Sequence, residues 1–286
     1  MSSVKEDKVT EKSSLSSFWK HPGDEFWNMK GNSKSDENTF HNADAKSVRL
    51  RGESYMKDNI KVPSGDAAYT LICSKCFATT NKMVNVAEEV QSLKDALSSN
   101  LDEEYLVICW LVPAHITVIN LYIRTLKQGK DRAFDRVHEM FRKGDSKFRD
   151  SRFKLIPQVL GAPMAIRALV NSLLGGLRPV IIGNKLQCHH FSGRNYMEVD
   201  IDTGSSSIVS YLARTMVSAF KDITVNQGFV IEGRSKRELP ERMLGIHCYT
   251  RVSLDTVKIK YDDQRCQQKR RWSIFGDRKR DTDTHK

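Results

Sequence analysis

Residues 196–220 read YMEVDIDTGSSSIVSYLARTMVSAF, and this stretch decides the fold class. Its first part alternates apolar and acidic residues, which is the two-residue period of a β-strand. After the turn DTGSS, apolar residues recur every three or four positions, which predicts an amphipathic helix from Ser206 to about Phe220. A hydroxyl of Ser205 or Ser206 is placed to cap this helix.

Strand-like runs rich in Val, Ile, Leu, Tyr and Phe lie on both sides of this stretch. Helical patterns are fewer and cover residues 86–97 and 132–143. Because strands outnumber helices without alternating with them, we expect an α+β fold. In this fold a curved, mostly antiparallel sheet packs around the long amphipathic helix in a single domain. The further strand-like runs are residues 69–79, 105–112, 152–159, 179–189, 224–232 and 245–252.

The segment Leu106–Ile123 (LVICWLVPAHITVINLYI) contains no Lys, Arg, Asp or Glu, and it reaches the minimum length for a membrane-spanning helix. However, Pro113 lies inside it, polar residues follow, and β-branched residues are frequent. Two buried strands interrupted at Pro113 explain this composition better than a transmembrane helix does.

Composition divides the chain into three parts. Residues 1–45 are polar and are expected to be largely disordered, with isolated aromatic residues that would dock onto the domain or a partner. Residues 46–255 have globular patterning. Residues 256–286 form a basic tail with ten Lys or Arg and five Asp, a net charge of +5.

The whole chain has 46 basic and 35 acidic residues and a net charge of +11. This excess indicates an anionic partner, for which an anionic lipid or membrane surface, an acidic protein and a nucleic acid compete. We favour lipid, leave a protein partner open, and consider nucleic acid unlikely.

Six scattered cysteines and the absence of a secretory signal predict reduced thiols in a cytoplasmic protein, peripheral on a membrane at most. Cys73-Ser-Lys-Cys76 is one half of a zinc ribbon without a second half, so we expect no metal. No nucleotide-binding or hydrolase motif is present, and we predict neither a cofactor nor catalytic residues.

Five segments, in order, resemble the C-terminal domain of the plant enhanced-disease-resistance proteins. They are residues 48–63 (VRLRGESYMKDNIKVP), 141–157 (FRKGDSKFRDSRFKLIP), 179–186 (PVIIGNKL), 195–206 (NYMEVDIDTGSS) and 229–245 (FVIEGRSKRELPERMLG). In the plant members this domain follows a pleckstrin-homology domain and a START lipid-binding domain, to which lipid binding is mostly ascribed. A chain of 286 residues has no room for either. The resemblance implies a function that involves lipid. The segment from Ala114 to Lys130 departs from the family pattern.

Glu198, Asp200 and Asp202 share one face of the predicted strand. Three carboxylates on one face suit a divalent cation or an acid/base pair. Alternatively the face is solvated, or its carboxylates pair with basic residues elsewhere. An enzyme that uses this acidic strand is therefore an alternative function.

Five basic residues from two other segments are candidates for a phosphate site, because guanidinium groups match phosphate oxygens. They are Arg49, Arg51, Arg149, Arg152 and Lys154. Arg49, Arg51 and Lys154 are also the candidates for pairing with the acidic strand.

The turn Asp202–Ser206 offers backbone N–H groups at a helix start. Ser205 and Ser206 would bind a phosphate or carboxylate there, unless Asp202 caps the helix itself. In the tail, basic residues are interleaved with aromatic ones, a composition that suits membrane contact, with nuclear import, nucleic-acid binding or a solvated tail as alternatives. The tail residues are Lys269, Arg270, Arg271, Trp272 and Phe275.

These observations favour a lipid- or membrane-surface-binding module. It would have an apolar pocket beside the helix Ser206–Phe220 and basic residues at the pocket mouth. A protein-interaction scaffold anchored by the N-terminal aromatic residues remains a further alternative. A cavity of roughly 300 Å³ or more beside the helix would favour a small-ligand site.

Overall fold

The computed structural model describes residues 28–29, 37–174, 176 and 178–254, which form two larger sheets, one hairpin and seven α-helices. The first sheet has six strands in the order β1-β2-β13-β12-β8-β9. Its neighbours are antiparallel except for β1 and β2, which are parallel. The strands are β1 (Asn28–Met29), β2 (Thr39–Asn42), β8 (Phe153–Gly161), β9 (Val180–Ile181), β12 (Thr224–Ile231) and β13 (Met243–Thr250).

The second sheet has five strands in the order β10-β11-β6-β7-β5. All neighbours are antiparallel except β11 and β6, which are parallel. The strands are β5 (Tyr69–Ala78), β6 (Tyr105–Val112), β7 (Ile116–Arg124), β10 (Gln187–Ser192) and β11 (Tyr196–Asp202).

The remaining elements surround these sheets. β3 (Arg49–Arg51) and β4 (Lys61–Pro63) form the hairpin. The helices are α1 (Tyr55–Asp58), α2 (Val86–Glu89), α3 (Gln91–Ser98), α4 (Arg132–Lys143), α5 (Ser146–Arg152), α6 (Met164–Leu174) and α7 (Ser207–Ala219).

The predicted α+β class and the mostly antiparallel pairing are confirmed, with the strands divided between two sheets. The uncharged run Leu106–Ile123 contains the antiparallel neighbours β6 and β7, as the interruption at Pro113 indicates. Ala114 and His115 turn the chain between them with positive φ angles of 73° and 60°. Among the described residues, no helix combines the length and the apolar character needed to cross a bilayer.

Two predicted elements are each divided in the structure. Residues 179–189 were expected to form one strand, but β9 belongs to the six-stranded sheet and β10 to the five-stranded sheet, with a 3-10 turn at Ile182–Asn184 between them. The helix expected over residues 86–97 is α2 followed by α3, because Val90 is extended. The sequence patterns did not indicate α5 or α6.

The two sheets face each other across a central core. This core contains Ile108 and Tyr122 from the five-stranded sheet and Phe153 and Phe229 from the six-stranded sheet, with the last two rings stacked 5.5 Å apart. α2 and α3 cover the outer face of the five-stranded sheet. The hairpin covers the outer face of the six-stranded sheet through buried Leu50. The fold is therefore layered, and each sheet has side chains packed against both of its faces.

The globular part begins before the predicted boundary at residue 46. β2 pairs with β13, and Phe40 is 2% exposed in the central core. Residues 1–27 and 30–36 of the segment that was expected to be largely disordered, and the predicted contacts of the tail from Lys269 to Phe275, lie outside the described residues.

Asp131 caps α4, and we expect its substitution to cause a measurable loss of stability. Its carboxylate accepts a hydrogen bond from the Phe134 N–H at 3.0 Å and pairs with Arg242. We expect Asp131→Ala to lower the unfolding free energy by about 1–2 kcal/mol, since both the cap and the ion pair are lost. Asp131→Asn keeps a capping oxygen, so that a smaller loss is expected in urea denaturation. Equal losses for the two variants would contradict a capping role.

Candidate functional site

A cleft of about 340 Å³ lies on the outer face of the six-stranded sheet, below the hairpin. We call it the basic cleft. Four of the five resembling segments contribute to its walls, and five basic side chains and two carboxylates line it. Its walls contain Arg49, Leu50, Arg51, Tyr55, Lys61, Lys154, Ile156, Arg178, Pro179, Ile181, Glu232 and Glu241.

Two of the cations are neutralised by the two carboxylates in an ionic cluster. Lys154 Nζ lies 2.9 Å from Glu241 Oε1 and 3.4 Å from Glu232 Oε2. Arg51 Nη2 lies 3.1 Å from Glu232 Oε2. The backbone N–H of Arg51 donates to Glu241 Oε2 at 3.1 Å. Lys154 and Glu241 are 8% and 5% exposed. Such a cluster is stable only when every charge has a partner.

A second ion pair extends this cluster. Arg152 Nη1 lies 2.6 Å from Glu238 Oε2 and donates to the Glu232 carbonyl at 2.8 Å. Burial opposes ionisation of Glu232, but the Lys154 ammonium, Arg234 and Arg51 together hold the pKa of Glu232 below its ordinary value. Glu232 is therefore a carboxylate at neutral pH.

The other three cations give the cleft its positive charge. Within the described residues, the side chains of Arg49, Lys61 and Arg178 form no ion pair with a carboxylate, and all three are exposed. The guanidinium of Arg49 donates to the Lys61 carbonyl. Among the described residues that line it, the cleft therefore has a net positive charge.

The predicted basic cluster is reproduced in part. Arg49, Arg51 and Lys154 converge in the cleft, as expected. Arg149 does not join them, because its guanidinium donates to the Phe141 and Arg142 carbonyls at the end of α4. Arg152 pairs with Glu238 beside the cleft.

Sequence reasoning missed Tyr55, Lys61 and Arg178. Tyr55 and Lys61 belong to a resembling segment, which was the available signal.

The acidic strand β11 is buried rather than solvated, and its carboxylates do not pair with Arg49, Arg51 or Lys154. Glu198 and Asp200 are 1% and 0% exposed. The strand alternation is as predicted, with Val199 in the central core, but α2 covers the acidic face. The carboxylates therefore meet the backbone N–H groups at the start of α2, which have no partners within the helix.

Backbone N–H groups hold two of the three carboxylates. The Val86 and Ala87 N–H groups donate to the two oxygens of Glu198 at 2.6 and 3.0 Å. The Asn85 N–H donates to Asp200 Oδ2 at 2.7 Å. Asp202, the third, forms a salt bridge with Lys82.

Burial, and then the adjacent Asp200 carboxylate, raise the pKa of Glu198 to about 9. Burial also raises the pKa of Asp200, although hydrogen bonds with Glu198 and the Asn85 N–H oppose this rise. The two acids therefore hold a proton between them at neutral pH.

A cation site at this position was one of the sequence hypotheses. Within the described residues, Cys109, Glu198 and Asp200 place three ligand atoms within 4.8 Å of one another. Burial, and then the adjacent Asp200 and Glu198 carboxylates, raise the pKa of the Cys109 thiol well above its ordinary range. Asp202 is not part of this group and forms a salt bridge with Lys82 instead, so the three predicted carboxylates do not form one site.

The turn before α7 is occupied by its own side chains. Asp202 accepts from the Gly204 N–H at 2.9 Å, and Ser206 is the N-cap of α7 and accepts from the Val209 N–H. The Ser205 hydroxyl donates to the Asp202 carbonyl and accepts from the Gln187 N–H. Hydrogen bonds within the chain therefore engage the Asp202 carboxylate and both serine hydroxyls of this turn.

An apolar cavity lies beside α7, on the inner face of the six-stranded sheet. We call it the inner cavity. One part, of about 400 Å³, lies between α6, α7 and strands β8 and β12, and includes Ile166 and Val225. An adjoining part of about 150 Å³ reaches Trp110, and the two parts share Met216, Phe220 and Gln227.

The inner cavity and the basic cleft lie on opposite faces of the same sheet. Along β8, Lys154 and Ile156 face the cleft, whereas Pro157 and Val159 face the cavity. The basic residues predicted from the sequence therefore do not form the mouth of the apolar pocket. Exposed Arg167 of α6 is the cation at the cavity.

Comparison with known proteins identifies the family. Residues 40–253 match the family described as Protein ENHANCED DISEASE RESISTANCE 2, C-terminal. A protein of Arabidopsis thaliana named Protein ENHANCED DISEASE RESISTANCE 2-like is 26% identical over 241 residues. That alignment covers 79% of this chain but only 31% of the relative's length. No solved structure matches the chain.

The matched residues include all residues that line the basic cleft and the larger part of the inner cavity. The resemblance of the five segments is confirmed, since the match extends over most of the described residues. The chain therefore belongs to the family of the Enhanced Disease Resistance 2 C-terminal domain.

Proposed function

We propose that this chain is a lipid-binding module that holds an apolar chain of its ligand in the inner cavity. The observation that carries this proposal is the cavity of about 400 Å³ between α6, α7 and the inner face of the six-stranded sheet. Cavities of roughly 300–1,000 Å³ with mostly apolar walls and a few polar groups are typical of small-ligand sites.

The side chains that line the inner cavity suit an acyl chain. Ile166, Val170, Met216 and Phe220 supply apolar contacts. Each methylene removed from water would contribute about 0.8 kcal/mol, so that a few methylenes suffice for measurable affinity. Methionine adapts its shape to irregular ligands.

Polar groups at the edge of the cavity suit a headgroup or carboxylate. Gln158, Arg167 and Asn171 lie together with the apolar residues of the cavity. Arg167 is exposed, and its guanidinium donates to the Ala162 carbonyl at 3.2 Å, which leaves further donors for an anion. An anionic lipid is therefore the ligand class that we propose, in agreement with the net charge of +11.

Filling the inner cavity should remove bound lipid. We expect Met216→Trp to abolish the lipid that co-purifies with the chain, or that it takes up from a fatty-acid or phospholipid suspension, because the indole occupies space in both parts of the cavity. Native mass spectrometry and extraction with organic solvent measure the bound lipid.

Ser218→Trp is the matched control, since Ser218 lies two residues further on the same helix and is exposed. We expect it to bind lipid as the unchanged chain does, with both variants equally helical by circular dichroism. If the chain neither carries nor takes up lipid, or if Met216→Trp retains a full load, the proposal is wrong.

A further inference from the structure

The tip of the hairpin between β3 and β4 exposes apolar side chains. Met56 and Ile60 are 47% and 53% exposed. Both are chain neighbours of residues that line the basic cleft, because Tyr55 precedes Met56 and Lys61 follows Ile60. With Val62, which is 36% exposed on β4, Met56 and Ile60 group three exposed apolar side chains in one hairpin, and grouped apolar side chains rimmed by polar ones mark interaction surfaces.

The charge around this tip is predominantly positive. The cations Arg49, Lys61 and Arg178, which pair with no carboxylate among the described residues, lie in the adjoining cleft. Two acidic residues, Glu53 and Asp58, also lie in the tip, but the Asp58 carboxylate turns back to accept from the Ile60 N–H at 2.8 Å.

The hairpin holds these groups in fixed positions. Leu50 is 2% exposed against the outer face of the six-stranded sheet. Arg51 lies over the Tyr55 ring, 4.9 Å from its centroid, and is also tied to Glu232 and to the Gly233 carbonyl. Because the surface is preorganised, little conformational entropy is lost when it binds.

We propose that the hairpin tip and the basic cleft dock this chain on an anionic membrane. Met56 and Ile60 enter the interface, and a phosphate-bearing lipid headgroup occupies the cleft between Arg49, Lys61 and Arg178. Apolar side chains flanked by cations are the composition that interfacial binding requires, and a compact cleft with guanidinium groups fits a phosphate. The inference rests on the proposed function only in taking lipid as the partner.

A nucleic acid fits these observations less well. Backbone phosphates spaced along a strand call for a stripe of cations, whereas here the three cations surround one cleft. Exposed methionine and isoleucine side chains contribute little to contacts with phosphates.

Sedimentation with vesicles tests the docking surface on the full chain. We expect binding to phosphatidylcholine vesicles that contain a phosphoinositide, and little binding to phosphatidylcholine alone. Each cation near an anionic membrane is worth about 1 kcal/mol, which is about a fivefold change in affinity, so Lys61→Ala with Arg178→Ala should weaken binding about 25-fold. The double variant Lys127→Ala with Lys130→Ala removes the same charge from the exposed segment after β7, and should bind as the unchanged chain does.

The apolar tip has its own matched pair. Ile60→Ser should weaken vesicle binding, whereas Leu101→Ser, at a residue 43% exposed elsewhere, should not. Soluble inositol hexakisphosphate should compete for the cleft, because it presents phosphates without acyl chains.

Several results would overturn the docking proposal. The first is an absence of binding to anionic vesicles, and the second is an absence of competition by the inositol phosphate. The third is equal binding by the two double variants, which is expected if the basic tail dominates membrane binding. If the double variant Lys61→Ala with Arg178→Ala still binds vesicles but no longer captures an acidic protein, the surface belongs to a protein partner. Met216→Trp should still dock, and the docking variants should still carry lipid in the inner cavity, so that failures of the two proposals are distinguishable.

Discussion

Replacing Glu241 with alanine is expected to lower the unfolding free energy by about 3–5 kcal/mol, because the change leaves a buried ammonium without its nearest partner. Glu241 Oε1 lies 2.9 Å from Lys154 Nζ, and the remaining carboxylate near Lys154, that of Glu232, is 3.4 Å away. The Arg51 and Gly233 N–H groups also lose their acceptor. Equilibrium denaturation in urea measures the loss.

Two comparisons isolate the buried charge. Glu139→Ala removes an exposed partner of Lys143 on α4, for which a few tenths of a kcal/mol are expected. Adding Lys154→Met to Glu241→Ala removes the orphaned charge and should recover part of the stability. A loss below about 1 kcal/mol for Glu241→Ala would show that water reaches Lys154 and that the cluster is not closed.

The contribution of Glu198 to the unfolding free energy should fall as the pH rises from about 5 to about 9, because Glu198 binds its proton more tightly in the folded chain. Its pKa is about 9 there, against an ordinary value of 4.5. Below 4.5 the carboxyl is protonated in both states and its contribution is fully present. Between the two values only the unfolded chain releases the proton, so the unfolding free energy falls by at most about 1.4 kcal/mol per pH unit.

Glu198→Gln removes this titration but keeps an oxygen for the N–H groups of α2. We therefore expect the stability of the variant to fall less steeply than that of the unchanged chain between about pH 6.5 and 9. One of the two N–H groups that met the carboxylate loses its acceptor, which lowers the stability of the variant by a similar amount at every pH. Urea denaturation at several pH values provides both profiles. Glu139→Gln is the control, because the Lys143 pair lowers the pKa of Glu139 and leaves this pH range unaffected. Identical slopes for the Glu198 variant and the unchanged chain would refute a shared proton in the acidic strand.

Local periodicity predicts individual elements best where burial and period coincide. α4 has the bounds that its apolar spacing indicates, since Phe134, Val137 and Phe141 all face the central core. Apolar spacing does not predict α6, because its apolar residues do not form one buried stripe and Met164 is 86% exposed. It does not predict β2 either, because a four-residue strand in a polar segment carries almost no periodic signal.

The assignment of strands to sheets depends on partners distant in sequence. Residues 179–189 have the composition of one strand, yet Ile182–Asn184 turns the chain from one sheet to the other. The acidic strand shows the same limit. Its alternation is predictable, but burial of its carboxylates depends on α2, which lies more than 100 residues earlier, as in the contact between Val86 and Glu198.

The candidate sites follow the same division between local and distant information. Arg51 and Lys154 were expected to meet, and they do, but their partners are Glu232 and Glu241 instead of the acidic strand. The apolar stripe of α7 predicts one wall of the inner cavity. The opposite wall comes from β8, β12 and the unpredicted helix α6.

The pairing of β2 with β13 has a consequence for folding during synthesis. These neighbours are separated by roughly 200 residues, as in the pair Asn42 and His247, so their pairing must await completion of almost the entire domain. The five-stranded sheet is complete once Asp202 has left the ribosome. Until Thr250 emerges, β12 pairs with β8 along one edge but lacks β13 along the other, and this open edge is exposed to aggregation. Chaperone demand during translation should therefore be highest in this interval, before the outer face of the six-stranded sheet can close.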